Sequence, residues 1–242
     1  MALVFAAAGA VAVGAALQSA TGIGFSLVAA PLVFAAVGPP EAVGLLIVLG
    51  LEVNLLTLLT ERRRPRPLGR ESVVLLAWSV PGALAGVAVL RALDPVALQI
   101  ALTVGVLATL AARRFAGGGG TPRWAAPAAG FASGTLTTST SVTGPALLVY
   151  LLGRGLEPGR VRDTLTVCFV GLGVISAAAL WATGTDAAPD AELVAWLVPL
   201  VAAGHVAGRP VFRRLAGGER YEAVLTGVLL VSVAIGLATT IA

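Results

Sequence analysis

Apolar residues run through this chain in long segments that are separated by short polar connections. Six of these segments are close to the ~20 residues with which an α-helix crosses a ~30 Å hydrocarbon core. They lie at residues 42–60, 72–90, 95–112, 164–183, 193–211 and 222–241. The pattern therefore predicts six ordinary transmembrane helices.

Two further apolar segments do not fit a single straight crossing. Residues 2–37 are too long for one crossing, and residues 124–153 carry the polar centre Thr-Leu-Thr-Thr-Ser-Thr-Ser-Val-Thr-Gly at 135–144. Both segments have glycine and hydroxyl residues near their middle, where we expect a helix to break. We interpret each as a broken helix that forms a re-entrant hairpin.

The arginine residues indicate how the segments are oriented. Loops 61–71, 113–123, 154–163 and 209–220 hold five, three, three and four arginines, and the chain contains no lysine. By the positive-inside rule these four loops are cytoplasmic. Segment 124–153 then has both ends on the cytoplasmic side, as a hairpin requires. If residues 2–37 also form a hairpin, the N-terminus and the C-terminus both lie outside.

An internal repeat supports this arrangement. Ala77-Trp-Ser-Val-Pro81 recurs 118 residues later as Ala195-Trp-Leu-Val-Pro199. The same offset pairs Gly86 with Gly204 and Arg91 with Arg209. A match that includes tryptophan is informative, because the chain has only four.

The predicted fold is an all-α polytopic membrane protein built from two inverted repeats. Repeat 1 covers residues 1–115 and repeat 2 covers residues 124–242, joined by a cytoplasmic linker at 116–123. Each repeat consists of one broken helix or re-entrant hairpin and three transmembrane helices. An odd number of crossings inverts the second repeat, an arrangement found in many secondary transporters.

The composition excludes several classes of protein. Hydrophobic residues make up 57% of the 242 positions and charged residues 12%, with a mean hydropathy of +0.95. These values exclude a soluble domain, a disordered protein and a nucleic-acid binder. One cysteine and one histidine argue against a disulfide framework, a metal centre and a catalytic triad. We expect no enzyme, no cofactor and no metal.

The two predicted helix breaks offer a site for a small oxyanion. In each hairpin the return helix would begin near the middle of the bilayer, where its unpaired N–H groups and partial positive charge attract an anion. Nearby hydroxyls would add donors without fixed charge. Glycine and hydroxyl residues also permit close helix packing, which is the structural alternative. The candidate substrate-binding residues are Gln18, Ser19, Thr21, Gly22, Gly24, Thr138, Ser139, Thr140, Ser141, Thr143 and Gly144.

Four ionisable residues in or beside the spans are candidates for coupling or gating. A charge on Glu52 in mid-span would cost about 2.5–3.5 kcal/mol, so it should face the protein interior or be protonated. It could carry a coupling proton or make a structural hydrogen bond. Arg91 and Arg209 could attract anions at opposite entrances or extend to lipid headgroups. His205 could titrate near neutral pH or be a structural core residue.

The sequence resembles the TauE/SafE sulfite exporter family, also called the 4-toluene sulfonate uptake permease family. The resemblance rests on segment 17–31 (Leu-Gln-Ser-Ala-Thr-Gly-Ile-Gly-Phe-Ser-Leu-Val-Ala-Ala-Pro), on Gly130-Phe-Ala-Ser-Gly134, and on segment 143–152 followed by Arg162. It implies export of sulfite, or movement of sulfonates and related sulfur or carboxylate anions.

The resulting hypothesis is a secondary transporter that exports sulfite or organosulfonates in a proton-coupled manner. It would be a multi-pass protein of the cell (inner) membrane, with a small anion and the lipid bilayer as its partners. The alternative is an anion channel, or a carrier for other small organic anions such as carboxylates. The small-residue faces fit a homo-oligomer and packing within one chain equally well.

Overall fold

The computed structural model describes residues 2–61, 65–94, 96–98, 100–101, 104, 122–215 and 227. Within this part the chain forms eight long helices. They are α1 (Ala2–Thr21), α2 (Phe25–Val37), α3 (Pro39–Thr60), α4 (Gly69–Ala92), α5 (Ala125–Thr140), α6 (Gly144–Leu152), α7 (Pro158–Ala182) and α8 (Ala191–Leu215). The helices predicted at 95–112 and 222–241 and the linker at 116–123 lie, except for a few positions, outside the described residues.

Five of these helices are long and apolar enough to cross a membrane. They are α1, α3, α4, α7 and α8, while α2 is a shorter apolar helix of 13 residues. The described residues contain no strand. The prediction of an α-helical polytopic membrane protein is therefore confirmed.

The helix is interrupted in both segments that the sequence marks as broken. The first break is Gly22–Gly24, between α1 and α2, and the second is Ser141–Thr143, between α5 and α6. Gly22 and Gly24 have φ angles of 85° and 124°, which only glycine adopts at little cost. Ser141 has a φ of 59°, in the left-handed region that non-glycine residues rarely enter. Both breaks thus reverse the chain through unusual backbone conformations.

The most extensive helix packing joins the two proposed repeats. Helix α1 packs along α8, and α4 packs along α5. Glycines bring these backbones together: a Cβ added to Gly134 of α5 would lie 2.3 Å from the Ser79 carbonyl oxygen of α4. At the other contact, a Cβ added to Gly204 of α8 would lie 2.2 Å from the Ala12 carbonyl oxygen of α1. In both places a helix of one proposed repeat packs against a helix of the other.

Helix α3 lies at the centre of the fold and brings the two helix breaks together. It contacts α2, α7 and α8, and most of its residues from Ala42 to Leu49 are buried. The Ser141 hydroxyl at the second break donates a hydrogen bond to the Val43 carbonyl of α3 (3.1 Å). A Cβ added to Gly144, the first residue of α6, would lie 3.7 Å from the Ile23 side chain of the first break. The two breaks are direct neighbours.

Candidate anion site

Two small cavities lie between the helix breaks. The first, of about 10 Å³, is lined by Gln18, Ile23, Gly24, Ser26, Leu27, Thr143, Gly144 and Phe169. The second, of about 20 Å³, lies against α3 and shares Ser26, Thr143 and Phe169 with the first. Its other lining residues include Asn54, Thr137 and Ser141. The N-terminal ends of α2 and α6 thus face one shared space.

Both cavities are small. A cavity holds one water molecule when its volume exceeds roughly 10–15 Å³. The second cavity, of about 20 Å³, has room for one water, and the first, of about 10 Å³, is at the lower limit. An oxyanion with a central sulfur atom and three oxygens needs more room, so binding requires the walls to move apart.

The cavity linings mix apolar and polar residues and carry no charge. Neither cavity has an Asp, Glu, Arg or Lys residue in its wall. The hydroxyls of Ser26 and Thr143, which belong to both walls, make no side-chain hydrogen bond within the described part of the chain. Neither N-cap residue, Gly24 or Thr143, caps its helix with its own side chain, although Gln18 accepts the first N–H of α2 from Phe25. The shared space is therefore bordered by unpaired hydroxyls and by two positive helix ends.

Gln18 fixes the shape of the first break. Its side-chain amide donates a hydrogen bond to the Asn54 carbonyl oxygen of α3 (3.0 Å), and its own carbonyl oxygen accepts one from the Phe25 N–H (3.2 Å). Asn54 in turn donates to the Gly50 carbonyl (2.7 Å). This chain of bonds ties the end of α1 and the start of α2 to α3. It holds the first turn of α2 at the cavity wall.

Comparison with protein families identifies the class of protein. The family model for the sulfite exporter TauE/SafE matches residues 6–237, nearly the whole chain. The chain belongs to the sulfite exporter TauE/SafE family. It is thus a multi-pass membrane transporter with a small anionic substrate. No curated protein and no solved structure matches the sequence.

Five of the predicted substrate-binding residues of this TauE/SafE protein line the two cavities. They are Gln18, Gly24, Ser141, Thr143 and Gly144. Ser26, Asn54 and Phe169 share these walls and were not among the predicted residues. Ser26 lies two residues after Gly24 in the hairpin motif. Its position at the start of a helix could have identified it as a candidate residue of the site. Tertiary packing brings Asn54 and Phe169 to the cavity walls, and no local sequence pattern indicates this.

The other predicted substrate-binding residues line neither cavity. Thr21 uses its hydroxyl within the first break, donating to the carbonyls of Leu17 (2.8 Å) and Ile23 (2.5 Å). Ser139 and Thr140 donate to carbonyls four residues earlier in α5, at 2.7 and 2.8 Å. The remaining three are placed as follows: Thr138 donates to Ser176 (2.8 Å), Ser19 contacts His205, and Gly22 packs against the Arg162 side chain.

The predicted coupling residues occupy three separate places in the TauE/SafE fold. Glu52 shares one face of α3 with the exposed residues Val48, Leu55 and Leu59 and lines neither cavity. Arg91 donates a hydrogen bond to the Thr183 carbonyl at the end of α7. Arg209 donates to the Thr60 carbonyl at the end of α3 (2.7 Å), and His205 is buried one turn before it. Only His205 and Arg209 are near each other.

Proposed function

We propose that the protein is a secondary transporter that exports sulfite or organosulfonate anions and couples their movement to protons. The anion binds between the N-termini of α2 and α6. The observation that carries this proposal is the shared cavity between the two helix starts, with the unpaired hydroxyls of Ser26 and Thr143 in its wall. The TauE/SafE membership supplies the class of substrate.

The neutral lining suits a carrier, because the substrate has to leave as readily as it enters. Helix-terminal N–H groups and hydroxyls stabilise an oxyanion by charge-assisted hydrogen bonds. A lysine or arginine in the same wall would add a full charge in a place of low dielectric, where it attracts an anion much more strongly than at the surface. The two dipolar helix ends therefore give moderate affinity.

The proposed arrangement also explains why both hairpins are broken. Irregular backbone at membrane depth is tolerated where it is buried in protein or borders a polar cavity. Gly24 and Thr143 lie directly before the two return helices, and both border the cavity. Each break therefore places a helix start at the substrate.

Flux of radiolabelled sulfite into proteoliposomes, with and without an imposed pH gradient, tests the proposal. We expect saturable flux that sulfonates inhibit and that the pH gradient changes. Thr143→Val and Ser26→Ala should each raise KM about tenfold, because a hydrogen bond to a charged group contributes about 1.5–3 kcal/mol. Thr57→Val is the matched control, since its hydroxyl donates to the Val53 carbonyl and lies outside both cavities. Unsaturable flux, or equal effects of all three variants, would contradict the proposal.

A further inference from the structure

A cluster of polar side chains, three buried and two half-buried, lies beside the first helix break. We call it the inner latch, and its members are Ser19, Thr60, Glu61, Arg162 and His205. They come from α1, the end of α3, α7 and α8. The His205 ring lies between two hydroxyls, with Nδ1 2.7 Å from Ser19 Oγ and Nε2 2.9 Å from Thr60 Oγ1. The cluster lies on the side of the protein that the sequence predicts to be cytoplasmic.

The hydrogen bonds of the inner latch fix the direction of each donor. Thr60 donates its hydroxyl proton to the Leu56 carbonyl (2.6 Å), so towards His205 it can only accept. This assignment places the proton of the neutral His205 ring on Nε2. In the neutral ring Nδ1 is then the acceptor, and Ser19 donates to it. Each hydrogen-bonding group of the ring is satisfied, which makes α1, α3 and α8 one connected unit.

Arg162 connects this unit to α7 and to the first break. Its Nη2 atom donates to the Ser19 carbonyl (3.1 Å), one of the last carbonyls of α1. Its Nη1 atom forms an ion pair with the Glu61 carboxylate. The Arg162 side chain also fills the space beside Gly22, where an added Cβ would lie 2.8 Å from its Cγ atom. Gly22 is two residues from Gly24, which lines the anion cavity.

The ion pair is unevenly buried. The Arg162 side chain is 3% exposed, whereas the Glu61 side chain is 20% exposed. Glu61 thus covers the guanidinium on its more accessible side. An anion that approaches the first break from this side finds the Glu61 carboxylate at the position from which it could bind Arg162. Two oxyanions of similar geometry then compete for one guanidinium, a group well suited to bind either.

We propose that Arg162 is the entry site for the substrate anion and that Glu61 occupies this site until the substrate replaces it. The exchange releases the end of α3 from α7 and opens the inner latch. A buried guanidinium that loses its counter-charge is destabilised, so the arrival of a second anion favours the departure of Glu61. Opening is therefore tied to the presence of substrate. This inference rests on the proposed function, which supplies the oxyanion.

The two partners of the ion pair should have opposite effects on substrate affinity. Glu61→Gln removes the competitor, and we expect KM for sulfite flux to fall about fivefold or more, the size of an ordinary coupling between sites. Arg162→Gln removes the binding group, and we expect KM to rise at least as much. If Arg162→Gln does not fold, KM is measured instead in Arg162→Lys, which keeps the charge. The exposed ion pair Arg154–Glu71 is the matched control, and Arg154→Gln should leave KM unchanged.

Thiol labelling tests the opening without measuring transport. Cys168 is the only cysteine, so Cys168→Ala provides a cysteine-free background. Thr166→Cys then introduces a reporter that is buried one turn along α7 from Arg162. A membrane-impermeant cationic methanethiosulfonate is added to inside-out vesicles. Methanesulfonate is the probe anion, because sulfite itself consumes the reagent. We expect methanesulfonate and, separately, Glu61→Gln to accelerate labelling about fivefold, whereas Arg154→Gln should not.

Three results would separate the possible failures. A rise of KM in Glu61→Gln like that in Arg162→Gln would overturn the exchange. Sulfite flux in the parent protein together with labelling that neither methanesulfonate nor Glu61→Gln changes would overturn the inner latch and leave the proposed function standing. A full labelling response without any sulfur-anion flux would overturn the proposed function and leave the latch supported.

Discussion

The guanidinium of Arg209 donates a hydrogen bond to the backbone carbonyl of Thr60, 2.7 Å away. Thr60 is the last residue of α3, so the arginine satisfies a carbonyl that has no partner within its own helix. Arg91 makes the equivalent bond to the carbonyl of Thr183, directly after α7. The two arginines are 118 residues apart and correspond in the sequence repeat. Their matching contacts support the proposed inverted repeat.

The contact of Arg91 leads to the first prediction. Arg91→Gln removes a charged donor from the end of α7 at an exposed position, where we expect a loss of about 0.5–1 kcal/mol of folding free energy. The apparent melting temperature in detergent should fall by a few degrees, while KM for sulfite flux stays unchanged. A loss of flux at an unchanged melting temperature would instead place Arg91 on the substrate path.

Close helix packing gives a second prediction. Gly134→Ala introduces a Cβ that would lie 2.3 Å from the Ser79 carbonyl oxygen, so α4 and α5 must separate. We expect a loss of about 1–3 kcal/mol, as for other overpacked sites. Gly9→Ala is the control, because nothing lies within 4 Å of its added Cβ. Thermal melting in detergent compares the two variants, and equal melting temperatures would refute the close approach.

The hydroxyls of α5 give a third prediction. Ser139 donates to the Thr135 carbonyl within its own helix and lines neither cavity. Ser139→Ala should therefore change KM for sulfite less than twofold, against the roughly tenfold rise expected for Thr143→Val. Side-by-side flux measurements decide between them. A large rise of KM in Ser139→Ala would show that α5 rotates to present this hydroxyl to the substrate.

The proposed proton coupling gives a fourth prediction. His205 lies beside Arg162, Arg209 and Glu61, so a change in its protonation alters the charge of the inner latch. His205→Gln keeps one donor and one acceptor but cannot titrate. We expect flux in this variant to vary with pH much less than flux in the parent protein.

Glu52→Gln is the comparison for the fourth prediction. Glu52 is half-buried, lines neither cavity and is not part of the inner latch, so the pH dependence of flux should survive its replacement. If Glu52→Gln abolishes the pH dependence and His205→Gln keeps it, the coupling proton belongs to Glu52.

The sequence predicted the broad fold because few backbone structures can cross a lipid bilayer. Apolar length identified the helices, and the glycine and hydroxyl clusters marked both breaks, at Gly22–Gly24 and at Ser141–Thr143. Helix ends were less predictable: α4 begins at Gly69 and α8 extends to Leu215, three and four residues beyond the predicted spans. Polar and charged residues can continue a helix outside the apolar core, so hydropathy alone cannot locate its end.

The sequence predicted the kind of site, an anion site at two helix breaks, better than it predicted which residues line it. Four consecutive hydroxyl residues, Thr137 to Thr140, cover every side of the last turn of α5, so helical periodicity cannot tell which of them face a cavity. The left-handed backbone conformation of Ser141 determines which hydroxyl faces a cavity, because it directs Thr143 to the cavity wall. The ion pair of Arg162 with Glu61 was not visible either, because it joins helices that are distant in the sequence.

The packing of α1 against α8 has a consequence for how the protein is made. The ribosome completes α1 almost 170 residues before it begins α8, and until then α1 has no partner for the surface that α8 covers. Membrane insertion of the first hairpin must therefore precede its assembly, and lipid or the insertion machinery has to cover that surface meanwhile. Neither half of the gene should yield a stable product alone. Two halves synthesised together in one cell should associate and restore transport.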